Sequence, residues 1–135
     1  MPGGGIYLYT PPGLAVDGAA AAAAPVNITL SGDGPQILII HTHGSEAYTP
    51  DGTDIYEPSD NNTRTLDENY NMVRVGDEME RVFTELGLSV VHDTTLYDYP
   101  RYSGAYDRSA EAVKHYLEQY PTIKIVLDVH RDALV

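Results

Sequence analysis

The sequence predicts an α/β domain: a mainly parallel sheet flanked by helices. Short apolar runs at 37–40, 88–91 and 123–129 read as strands. Between them lie segments with apolar residues at steps of three and four, the period of a half-buried helix. The order strand, long loop, helix, strand, loop, helix, strand is the alternation that builds parallel sheets through helical crossovers.

The chain of 135 residues is one domain or a piece of one, with enough length for a real core. Its 42% hydrophobic content is ordinary for a globular chain. Eight basic side chains face 20 acidic ones, a formal net charge of -12. That charge repels phosphate backbones, so no nucleic-acid partner is expected. It favours cations instead. There is no cysteine, which excludes disulfides and thiolate metal ligands.

Residues 1–35 are rich in Gly, Pro and Ala and read as a linker, with one short strand at Val26–Leu30. The opening MPGGGIYLYT lacks the basic and apolar regions of a signal peptide. The alanine-rich run from Ala19 to Val26 is too short to span a bilayer. Residues 36–135 read as the folded domain. Ile37–Ile40 is apolar throughout, as in a strand buried on both faces. Residues 44–66 form a long polar loop. Asn69–Leu86 is a helix with Met72, Val75, Met79, Val82, Phe83 and Leu86 on one face, capped by Asp67 or Asn69 and ended by Gly87. Leu88–Val91 is the second strand, and 97–106 a tyrosine-rich loop. Ser109–Tyr120 is the second helix, with Ala110, Val113, Tyr116, Leu117 and Tyr120 inward and Pro121 after it. Ile123–Val129 is the third strand.

In parallel sheets, ligands bind beyond the carboxyl ends of the strands. His41 and His43 follow the first strand, His92 the second and His130 the third; His115 falls on a helix. His43 and Glu46 form an H-x-x-E spacing that one tight turn can aim at a point. His130 would complete a set of two histidines and a glutamate, common at catalytic zinc. An open fourth position would take water, whose pKa zinc lowers to about 7. Asp67 competes with Glu46 as the carboxylate, or is simply a helix cap. Asp128 and Asp132 flank His130, and one could orient an imidazole. A lone strand-end histidine is more often structural. The gathering of four at one edge is what favours a metal.

Other motifs carry less. HRD at 130–132 lacks the asparagine, glycine-rich loop and strand lysine of a kinase. SGDGP lacks a phosphate-loop lysine. DGTD and SDNN fit solvated loop better than a calcium loop, and no G-x-S-x-G elbow is present. Tyr97, Tyr99, Tyr102 and Tyr106 could stack on sugar rings or cover a core edge.

Three blocks carry a family resemblance: ILIIHTHGSEAY, NMVRVGDEMERVFTELGLSVVHDTTLYDYPRYSGAYDRSAEAV and IKIVLDVHRDAL. Together they resemble stage II sporulation protein P, across residues 36–135. The resemblance implies a zinc-dependent peptidoglycan hydrolase that cleaves the N-acetylmuramoyl-L-alanine amide, and also acts as an endopeptidase, during engulfment of the forespore. It implies the fold of cell-wall amidases, similar to zinc carboxypeptidases. The carboxypeptidase pattern implies His43, Glu46 and His130 as zinc ligands; the amidase pattern would put Asp67 in place of Glu46. His41 or His92 would donate a hydrogen bond to the oxyanion or to substrate. Tyr99, Tyr102 and Arg131 are candidate substrate contacts. The implied partners are peptidoglycan, a lytic transglycosylase and membrane proteins of the engulfment complex. The implied location is extracytoplasmic, between the forespore and mother-cell membranes, with an N-terminal anchor that this sequence lacks. Family members continue beyond the HRDA block with a portion bearing a glutamate general base. The chain is therefore expected to be a C-terminally truncated catalytic domain, inactive by itself. A non-catalytic peptidoglycan-binding module and a zinc carboxypeptidase acting on small peptides are the alternatives.

Overall fold

The computed structural model describes residues 12–13, 15–30, 32–48 and 63–131. Its helices are α1 (Gly18–Ala23), α2 (Met72–Glu85) and α3 (Ala105–Gln119). Three strands, β1 (Ile37–Ile40), β2 (Val90–His92) and β3 (Ile125–Asp128), form one parallel sheet in the order β2-β1-β3. The α/β class read from the alternation is thus present. β1 is central and all four of its residues are buried, which is why it can be apolar on both faces.

The chain leaves β1 through α2 to reach β2 on one side, then returns through α3 to β3 on the other. This reversal puts a switch point between β1 and β3, where a crevice opens beyond the carboxyl ends. The register sets Ile39 beside His92 and Ile40 beside Asp128.

The element boundaries differ from expectation, and the differences have local causes. α2 begins at Met72, because the Asn71 side chain accepts the Val73 N–H at 2.9 Å and caps the helix. Asp67 caps a separate turn, accepting the Asn69 N–H at 3.0 Å. The helix buries Met72, Val73 and Gly76, while Val75, Val82 and Leu86 of the expected stripe are exposed. α2 meets β1 and β2, and Gly76 is its point of closest approach to the histidines behind them. α3 starts four residues before Ser109. Gly104, at φ 80°, makes the left-handed turn that opens it. Ser109 is then inside the helix and buried with Ala105, whereas Ala110 and Leu117 face solvent.

No strand forms at Val26–Leu30. The six-residue helix α1 precedes it instead, nucleated by alanines of high helix propensity and capped by Asp17, which accepts the Ala20 N–H. The base of the long loop is closed by antiparallel bridges from Glu46 to Arg64 and from Ala47 to Asn71. DGTD, SDNN and Asp132 lie outside the described residues. Among the described residues, no helix is long and apolar enough to cross a membrane.

Candidate metal centre

Beyond β1 the chain makes a tight turn in which the Glu46 N–H donates to the His43 carbonyl at 3.1 Å. Asp98 fixes it from outside, accepting the Ser45 N–H at 3.3 Å and the Ser45 hydroxyl at 2.6 Å. The turn brings His43 and Glu46 together, and His130 reaches them from the end of β3. Their ligand atoms lie within 4.8 Å of one another.

The geometry suits a metal. His43 Nδ1 and His130 Nδ1 are 3.4 Å apart, long for a hydrogen bond. Two nitrogens about 2.0–2.1 Å from a tetrahedral zinc stand about 3.3–3.4 Å apart. Glu46 Oε2 is buried and accepts no hydrogen bond, and a buried carboxylate oxygen without a partner needs an explanation. His130 Nε2 lies 2.9 Å from Asp128 Oδ2. That contact uses the Nε2–H and leaves the Nδ1 lone pair aimed at His43, as a carboxylate behind a metal-binding histidine does. Asp128 also accepts the Thr42 N–H at 2.9 Å and the Thr42 hydroxyl at 2.7 Å. Burial pushes the Asp128 carboxyl up, but the Thr42 N–H, His130 and the Thr42 hydroxyl outweigh it and hold it below the usual range. Burial, the largest cause, lowers the His43 pKa, which favours the neutral imidazole that binds metal.

Aromatic rings wall the site. Tyr102 stacks on His43 with centroids 4.6 Å apart and planes 9° from parallel, and the Arg64 guanidinium lies over the Tyr102 ring at 4.3 Å. Tyr106 meets His43 edge-on at 5.2 Å. Tyr99 is exposed in the same loop. Arg131 Nη2 donates to the Thr63 carbonyl at 3.4 Å, which ties it to the base of the long loop.

A comparison with known proteins places the chain. The stage II sporulation protein P family model matches residues 15–135. The chain belongs to that family. Membership ties it to sporulation. No curated protein and no solved structure matches it.

Two expected roles do not fit where the structure puts their residues. His41 is fully buried, with Nδ1 donating to the Val129 carbonyl at 3.1 Å and Nε2 against His92 Nε2 at 2.9 Å. Neither nitrogen is left to donate to an oxyanion. His92 spends Nε2 on His41 and turns Nδ1 toward α2, away from His43. Asp67 belongs to its own turn, and Glu46 is the carboxylate beside the two histidines. Sequence reading missed Asp98 and Gly76, whose roles depend on contacts distant in the chain.

The carboxylate can be tested directly. Glu46→Gln should weaken zinc binding by about tenfold or more, while Asp67→Asn leaves it near the wild-type value. Competition against a chromophoric chelator reads both. A larger loss from Asp67→Asn would reverse the assignment.

Proposed function

We propose that this chain carries the zinc centre of a peptidoglycan hydrolase that cleaves the amide between N-acetylmuramic acid and L-alanine during engulfment. The observation that carries the reading is the 3.4 Å separation of His43 Nδ1 and His130 Nδ1 beside an unpartnered Glu46 Oε2. On this reading the fold would be that of zinc amidases and carboxypeptidases, and the protein would act outside the cytoplasm, between the forespore and mother-cell membranes.

Zinc held by His43, Glu46 and His130 would polarise the amide carbonyl as a Lewis acid and activate water at neutral pH. The chain's own residues supply position. Asp98 holds the His43–Glu46 turn, and Asp128 holds His130 with Nδ1 inward. Tyr99 and Tyr106 are largely exposed and would offer ring faces to sugar rings, while Tyr102 holds His43 in place by stacking on it. Asp98 and Asp128 are both committed to hydrogen bonds; the family resemblance implies a further glutamate as the general base. A lytic transglycosylase and membrane proteins of the engulfment complex are the proposed partners.

The test is digestion of purified sacculi by the intact natural protein, with zinc, with chelator, and with zinc restored. Release of stem peptides bearing new L-alanine amino termini should stop with chelator and return with zinc. Zinc-loaded protein that binds sacculi and releases nothing would make it a binding module. Trimming of free stem peptides with no release from sacculi would make it a carboxypeptidase.

A further inference from the structure

On the other side of β1, α2 and β2 bring together a second group of ligand types. Asp77, Glu80 and His92 present ligand atoms that all lie within 4.8 Å of one another. Asp77 and Glu80 are three residues apart on α2 and so share a helix face. His92 ends β2 beneath them.

The hydrogen bonds around His92 decide which of its nitrogens is available. The Val129 carbonyl can only accept, so His41 Nδ1 carries the proton. With its proton at Nδ1, a neutral His41 has only a lone pair at Nε2. His92 Nε2 therefore donates across the 2.9 Å contact. A neutral His92 then has a lone pair at Nδ1. That side chain is 3% exposed, and Nδ1 is buried with no hydrogen-bond partner. Asp77 Oδ1 lies 3.2 Å away and Glu80 Oε2 3.6 Å away, neither placed to accept an N–H from it. A divalent cation held between Nδ1 and the two carboxylates would give this buried nitrogen the partner it lacks. The nearby arginines do not fill that place: Arg81 bonds Glu78 and Glu85, and Arg74 bonds the Asn69 carbonyl.

We infer that Asp77, Glu80 and His92 form a second divalent-cation site that pins α2 to the edge strand β2. The distances suit zinc, for which neighbouring nitrogen and oxygen ligands stand about 3.3–3.5 Å apart. One imidazole and two carboxylates also suit manganese. The outer part of the site is open, because Asp77 is largely and Glu80 partly exposed, which leaves room for water to complete the shell. The His41 acceptor behind His92 is the orienting partner that metal-binding histidines commonly have.

Zinc content after dialysis and a zinc titration followed by thermal unfolding test this on four proteins: wild type, His43→Ala, Asp77→Asn/Glu80→Gln, and all three substitutions together. Asp77 and Glu80 are surface residues, so the double variant should fold, which circular dichroism checks. Two zinc ions per wild-type chain are expected, one in His43→Ala, one in the double variant and none in the triple. Zinc should raise the unfolding midpoint of His43→Ala but not of the triple variant. If Asp77→Asn/Glu80→Gln changes neither zinc content nor midpoint, the second site does not exist, while a loss confined to His43→Ala still supports the first. If zinc survives in His43→Ala alone and depends on Asp77 and Glu80, the inference stands and the first centre is wrong.

Discussion

Replacing His43 with alanine should strip the first centre of zinc and silence hydrolysis of sacculi by the intact natural protein. Losing a partner behind a ligand costs roughly 10–100-fold in metal affinity, and losing the ligand itself should cost more. Here it would remove one of the three proposed ligands and the ring that Tyr102 stacks on. The other two, Glu46 and His130, cannot close on the metal from one side. His115→Ala is the control, since His115 is exposed on α3. Equal zinc loss from the two variants would mean that the site lies elsewhere. Zinc content is read for the first centre alone by making both changes on the Asp77→Asn/Glu80→Gln background.

A large loss of stability is expected from Gly76→Ala. Mid-helix glycine ordinarily costs about 0.5–1 kcal/mol relative to alanine, so the change alone should stabilise α2. A Cβ at this position, however, would lie 2.3 Å from His92 Nε2 and 2.5 Å from His41 Nε2. Neither ring can retreat, because His41 is fully buried between Val129 and His92, and the His92 side chain is almost as deep. Overpacking of this kind costs about 1–3 kcal/mol, so overpacking wins. The two ranges net to about 0–2.5 kcal/mol of destabilisation, and contacts as short as these put it toward the upper end, read as a lower urea midpoint with an unchanged slope. An unchanged or higher midpoint would show that α2 is free to lift from the sheet, and that the histidine pair does not require glycine above it.

What the sequence made legible is what local pattern controls. ILII could only be a strand covered on both faces, and it is the centre of the sheet. His43 and Glu46 were readable because one turn joins them, and His130 because strand ends in a parallel sheet share an edge. The misreadings share a cause. The second helix was read as starting at Ser109, but that hydroxyl meets Thr42 at 2.7 Å inside the fold, and Gly104 opens the helix. The apolar stripe of α2 was drawn through Val75 and Val82, but a close approach at Gly76 turned the contact toward Val73. His41 and His92 were read as facing substrate. Their pairing depends on the register of Ile39 with His92, which no local window contains.

The adjacency of β1 and β3 also bears on which ion the first centre accepts. His43 and His130 leave neighbouring strands whose spacing, about 4.8 Å in any sheet, is set by backbone hydrogen bonds. Asp128 then ties the two exits together through Thr42 and His130. The 3.4 Å gap between the two nitrogens is therefore hard to widen or narrow. Copper(II) outcompetes zinc on raw affinity but prefers a tetragonal shell, in which adjacent nitrogens about 2.0 Å from the metal stand about 2.8 Å apart. Calcium bonds at about 2.3–2.6 Å and seeks more oxygens than this nitrogen-rich corner offers. Ion discrimination in the proposed centre would thus come from the sheet, with the strands acting as a gauge of ionic radius and bond angle, set before any ion arrives.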